Sequence, residues 1–127
     1  MGQKVLVEKD IQDGENLIQE LKKKVLIKDA IWLYDEDESI WKLIISSPEI
    51  KTEGPKYLYT EISKILRKLK SHLLFSFIQV LDPNSNLIKM LRSSYEVRNR
   101  MFGNVPIDDV HIYILDGHQF NGLKNAS

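Results

Sequence analysis

Two stretches rich in β-branched and aromatic residues, Ile27 to Asp35 and Ile40 to Ser47, are separated only by Glu36-Asp37-Glu38-Ser39. Strands joined by so short a polar connection must be antiparallel neighbours, because a parallel pair needs a crossover. The chain must therefore build a sheet around a hairpin, and every other element has to find its place against it.

Helical periodicity flanks the hairpin on both sides. Ile11, Gly14, Leu17, Ile18, Leu21 and Val25 recur at three- and four-residue steps, which predicts a helix from about Asp10 to Val25. Asp10 is its expected cap, and Lys22, Lys23 and Lys24 fall in its last turn, where cations suit the helix dipole. Pro48 stops the second strand, and Gly54-Pro55 opens a second helix that runs to His72. Its apolar stripe is Leu58, Tyr59, Ile62, Ile65, Leu66, Leu69 and Leu73.

Leu74 to Asp82 is apolar almost throughout and reads as a central strand covered on both faces. Asp82-Pro83-Asn84-Ser85 forms a turn that caps a short helix through Leu87, Ile88 and Leu91. The polar stretch Ser93 to Pro106 carries no clear period, and Val110 to Leu115 is a further strand closed by Asp116-Gly117. The expectation is an α/β (α+β) fold: a mixed four- to five-stranded sheet with an antiparallel hairpin, packed by about three helices. Residues 1–127 make a single domain, with 119–127 as a frayed tail.

Composition narrows the function classes. Zero cysteines exclude a disulfide scaffold, a thiol nucleophile, an iron–sulfur cluster and thiolate-ligated zinc. Lys4, Glu8, Lys9 and Asp10 interrupt the region where a secretory leader needs an unbroken apolar run, so a cytoplasmic protein without membrane contact is expected. The 18 basic and 18 acidic residues cancel overall, yet residues 1–63 hold nine basic and thirteen acidic side chains and residues 64–127 nine and five. That split of minus four against plus four is compatible with one face meeting an anionic partner.

The hairpin sequence Ala30-x-Trp32-Leu33-Tyr34-Asp35, then Trp41-x-Leu43-x-Ile45-x-Ser47-Pro48, then Gly54-Pro55 ahead of Tyr59, resembles a group of small uncharacterised bacterial and cyanobacterial proteins. The resemblance covers roughly residues 10–70. It implies a free-standing bacterial cytoplasmic protein and brings no activity, cofactor or catalytic residue with it.

Four groups of residues are candidates for chemistry. Asp35 with Glu49-Ile50-Lys51 has the acid, acid-x-Lys order of a Mg²⁺-dependent phosphodiesterase or nuclease, in which carboxylates hold the metal and the lysine steadies phosphate charge. Pro48 counts against it, because the tripeptide then starts a loop instead of running along a strand. The acidic run Asp35 to Glu38 lacks the glycine and distal glutamate of a calcium loop and reads as a wetted hairpin tip. Lys64, Arg67, Lys68 and Lys70 form a basic helix face suited to nucleic acid phosphates. Trp32, Tyr34 and Trp41 offer aromatic surface for a protein partner or a second copy, if one face of the sheet is left uncovered.

His72, His111 and His118 have no ligand-like spacing, and neither a nucleotide-binding glycine loop nor a nucleophile elbow occurs. No metal or other cofactor is expected. A non-catalytic module acting through a protein partner or as a homo-oligomer is the leading expectation.

Overall fold

The structure, a computed structural model, describes residues 6–73, 75–102 and 110–120, with only the backbone described over 97–102. Its elements are α1 (Glu8–Leu21), β1 (Asp29–Asp35), β2 (Ile40–Ser46), α2 (Glu49–Glu53), α3 (Pro55–Lys68), β3 (Ile78–Leu81), α4 (Asn86–Phe102), β4 (Val110–Leu115) and β5 (His118–Gln119). The five strands form one mixed sheet in the order β3-β2-β1-β4-β5. This is the expected α+β class. The expected antiparallel hairpin is formed, and its register sets Asp29 opposite Ser46 and Asp35 opposite Ile40.

Strand alternation divides the work between two faces. Ala30, Trp32, Leu43 and Ile45 join Ile78 and Val80 against Leu17, Ile18 and Leu21 of α1 and Leu58, Ile62 and Ile65 of α3. Ile31, Ile112 and Leu115 point the other way and pack with Leu91 and Tyr95 of α4. The central strands are therefore covered on both faces, which answers the question left open for the hairpin aromatics.

Several boundaries differ from the sequence reading. Helix α1 begins before Asp10, with Val7 at its cap and no side-chain cap bond, and Lys22 to Lys24 lie past its end. Helix α3 stops at Lys68. There Lys70 enters the left-handed region (φ 52°), and the Ser71 and Lys70 amides bond to the carbonyls of Leu66 and Arg67. This termination motif is usually signalled by glycine, and here lysine takes the glycine position.

The apolar run after Leu73 does not form a central strand. Phe75–Phe77 is a single 3-10 turn, and β3 is a four-residue edge strand parallel to β2. Helices α2 and α3 provide the crossover that such a pair requires. Ile78 and Val80 are buried while Gln79 is exposed, so only one face is covered. The outer edge is blunted: the Val80 amide donates to the Tyr59 hydroxyl at 2.9 Å, and the Tyr59 ring packs edge-on against Phe75. Central position falls to β1, flanked by β2 and β4. The stretch after Ser93 continues α4 to Phe102, and residues 103–106 lie outside the described residues.

Strand β4 carries an irregularity that organises the core. Ala30 pairs with Ile114 but Ile31 pairs with Ile112, so Tyr113 is the extra residue of a bulge. Tyr113 and Ile114, adjacent in sequence, thereby both join the α1–α3 core. The Tyr113 hydroxyl accepts from Trp32 Nε1 at 2.9 Å and donates to the Ile11 carbonyl at 2.6 Å. A polar relay thus ties the central strand and β4 to α1 inside an apolar core. Gly14 makes it possible, because a Cβ there would lie 2.5 Å from the Tyr113 hydroxyl and 2.9 Å from Trp32 Nε1.

Substituting Tyr113→Phe leaves the buried Trp32 Nε1 without its acceptor and should cost about 1–3 kcal/mol of unfolding free energy. Gly14→Ala adds helix propensity worth about 1 kcal/mol but drives a methyl group into the relay, for a net loss of about 1–2 kcal/mol. Urea titration of both single variants and the double variant checks this. The double variant should lose less than the sum, since the hydroxyl nearest to the new methyl group is gone.

His111 lies beside this relay, its ring edge-on to Tyr113 and its Nε2 without a hydrogen-bond partner among the described residues. Burial lowers its pKa from the ordinary histidine value, and the nearby Glu8 and Glu15 only partly oppose that. The folded state favours the neutral ring, whereas the unfolded chain takes up the proton near pH 6.5. The stability this group contributes is complete above about pH 6.5 and is lost as the pH falls toward the depressed folded value. Chemical denaturation at pH 7 and pH 5 should show the drop, and His111→Gln should flatten it.

Candidate functional site

The sequence-predicted groups fare unequally. Asp35 closes β1 at the hairpin tip, where its Oδ1 accepts from the amides of Asp37 and Glu38 and its Oδ2 pairs with Lys42 at 3.0 Å. The Lys42 bond, followed by the Glu38 amide, holds its carboxyl below the usual range. Glu49 begins α2 beyond the opposite end of β2, and its Oε2 accepts from the Leu26 amide at 2.7 Å. The six residue steps of β2 alone separate them by about 20 Å. Asp35, Glu49 and Lys51 therefore cannot share a metal ion, and the phosphodiesterase arrangement is not formed. Among the described residues no three His, Asp or Glu side chains come together to hold one.

Trp32 cannot serve as interaction surface either. It is 2% exposed and belongs to the core. Tyr34 and Trp41 are half-buried and packed on each other edge-to-face at 5.4 Å, so much of their apolar area is spent within the chain. On α3, Lys64 and Lys68 are exposed and ion-paired, Arg67 bonds Ser63 at 3.5 Å, and Lys70 lies past the helix end.

The best-defined polar site is one that sequence reasoning missed. Asp29, at the start of the central strand, is fully buried. Its Oδ1 accepts from Arg92 Nε at 3.1 Å and from the Asp116 amide at 2.9 Å. Its Oδ2 accepts from Arg92 Nη2 at 2.7 Å and from the Ser46 hydroxyl at 2.6 Å. Arg92 thus grips the carboxylate with both prongs of its fork, a geometry lysine cannot copy. The bond to Asp29 raises the Arg92 pKa, partly opposed by burial, so its charge is permanent.

Asp116 and Gly117 form the two-residue turn between β4 and β5, with φ of 50° and 84°. That is a mirror-image hairpin turn, for which Asp-Gly is a favoured pair. The turn is pinned at both residues, because the Gly117 amide also donates to the Lys28 carbonyl at 2.8 Å. The Asp-Gly pair was the available signal for β5. Instead of fraying, Gln119 is paired in β5 and the Phe120 amide donates to the Tyr113 carbonyl at 2.7 Å. Residues 121–127 lie outside the described residues.

Against this buttress opens a cleft of about 600 Å³ between α4 and the β4–β5 turn. Leu115, Tyr95 and Phe120 supply its apolar lining, the two rings meeting edge-to-face at 5.5 Å. Lys89, Arg92, Glu96, Asp116 and His118 make a rim of both charge signs. No described helix is long and apolar enough to cross a membrane. Comparison with protein-family models, with curated proteins and with solved structures finds no match to this chain.

Removing the carboxylate tests how far the site depends on it. Asp29→Ala leaves the Arg92 guanidinium, the Ser46 hydroxyl and the Asp116 amide without their acceptor. Breaking a buried pair costs about 3–5 kcal/mol, and the partial exposure of Arg92 sets the expected loss near the lower end, about 3 kcal/mol. A thermal or urea midpoint within error of the parent chain's would refute this account.

Proposed function

We propose that the chain is a non-catalytic interaction module, and that the cleft between α4 and the β4–β5 turn receives an apolar side chain from a protein partner. One observation carries the reading: an apolar floor of Leu115, Tyr95 and Phe120 is enclosed by a rim of mixed charge, itself set on a buried ion pair. An apolar centre within a charged rim is the anatomy of protein–protein contacts. A fixed Arg is also the type of residue that dominates binding energy there, since little of its freedom remains to be lost. Self-association is the homotypic form of the same reading. The bacterial cytoplasmic setting implied by the hairpin's resemblance belongs to it as well.

The test places a photo-crosslinking amino acid at Ser93, on the cleft rim, and as a control at Glu36 on the hairpin tip. Irradiation in cells should give a discrete adduct, to another polypeptide or to a second copy, from Ser93 alone. Phe120→Asp should abolish it while leaving the far-ultraviolet circular dichroism unchanged. Adducts common to both positions, adducts that survive Phe120→Asp, or none at all would overturn the assignment.

A further inference from the structure

On the opposite side of the sheet from the cleft, α1 and α3 lie against each other and bring together lysines that are far apart in sequence. Glu20 Oε2 pairs with Lys23 at 2.9 Å and its Oε1 with Lys68 at 3.3 Å. Glu61 Oε1 pairs with Lys24 at 3.3 Å and its Oε2 with Lys64, also at 3.3 Å. Each carboxylate is thus shared by two ammonium groups, one from each helix or its end. The carboxylates are sunk, 26% and 11% exposed, whereas Lys23, Lys24, Lys64 and Lys68 are 52% to 72% exposed.

The lysines outnumber the acids by two, and the acids lie beneath them. Bonds from Lys23 and Lys68 hold the Glu20 carboxyl below its ordinary range. Burial pushes Glu61 up, but Lys24 and Lys64 outweigh it and hold that carboxyl below its ordinary range too. Both acids therefore stay charged at neutral pH and act as fixed anchors. Exposed ion pairs of this kind contribute little to stability. Their consequence is positional: four cationic groups are gathered on one ridge, with net positive charge outward.

We propose that this ridge is a phosphate-backbone contact surface whose ligand is a nucleic acid duplex bound without base reading. The neutral total charge of the chain does not oppose this. The acidic tip Asp35 to Glu38 lies at the far end of β1, about 20 Å from the end that follows Lys24. Charges more than a Debye length of about 8 Å apart are screened from each other at physiological salt. Lys64 and Lys68 are one helical turn apart, about 6 Å along the axis. That is close to the roughly 6.8 Å that two phosphates advance along one strand of a duplex.

The probe is a fluorescein-labelled DNA duplex of about 20 base pairs, followed by anisotropy at salt concentrations from roughly 50 to 200 mM. With between two phosphates (the net charge) and four (every lysine) neutralised, affinity should fall about 12-fold to 150-fold over that fourfold rise in salt. Lys64→Gln with Lys68→Gln should weaken binding at least about tenfold and flatten the salt slope by about two, whereas Lys64→Arg with Lys68→Arg should retain it. Circular dichroism confirms that these surface variants fold. No binding at the lowest salt, binding indifferent to the glutamine variants, or equal affinity for polyglutamate or for phosphatidylserine vesicles would overturn the proposal. Its outcome is independent of the cleft, which faces the other way.

Discussion

A carboxylate removed from water has to be satisfied from within the protein, and Asp29 is satisfied by three different parts of the chain at once, through four hydrogen bonds. It begins β1, accepts from Ser46 at the end of β2, from Arg92 on α4 and from the Asp116 amide in the β4–β5 turn. The cost of stranding a buried charge is several kcal/mol, comparable with the whole net stability of a small domain. These chain segments therefore cannot adopt their positions independently, although they are separated by as many as 87 residues. The same bond that solves the burial problem also fixes Arg92 on the wall of the cleft, so a stability requirement and the geometry of the candidate site have one cause.

The other face of the sheet is held differently. Its contacts are mainly apolar, and the polar relay inside it, Trp32 to Tyr113 to the Ile11 carbonyl, contains no charge. Apolar burial alone is non-directional and would tolerate α1 sliding along the strands. The relay sets the register of that helix, and the absence of a side chain at Gly14 lets the helix come close enough for it to form. The bulge at Tyr113 is the enabling irregularity, because a regular strand would send Tyr113 and Ile114 to opposite faces. Each face thus pairs apolar packing with one directional polar feature.

Sequence periodicity reached the elements whose signals are local. The hairpin was legible because loop length alone dictates antiparallel pairing, and α1 and α3 because their apolar stripes have helical spacing. What was not legible depends on contacts distant in sequence. Leu74 to Asp82 is apolar enough to be a central strand, but the part of it that pairs does so on one side only, leaving β3 at the edge. The polar residues from Ser93 onward hide a helix because α4 packs through a narrow stripe, Ile88, Leu91 and Tyr95. Nothing near Asp29 in sequence announces that an acid at the start of a strand will be buried, since its partners are supplied by β2, α4 and the last turn. The aromatics of the hairpin misled for a related reason: alternation shows that Trp32 and Tyr34 share a face, but not that two helices will cover it.

Charge shows the same limit from the opposite direction. The halves of the sequence carry minus four and plus four charges, which suggests a basic C-terminal half. In the folded chain the relevant grouping cuts across that division. Lys23 and Lys24 come from the acidic half and Lys64 and Lys68 from the basic one, and they meet only because α1 and α3 pack side by side. Conversely, the acidic run at the hairpin tip is partly occupied with its own turn. Asp35 caps it through two amides, and Lys42 is drawn in between Asp35 and Glu38 at 3.0 and 2.9 Å. Those acids need no external cation to explain them. Summed charge is therefore a poor guide to what such a protein meets. Over distances beyond a screening length, the sign and placement of each local cluster decide, and both are set by the packing of elements the hairpin brings together.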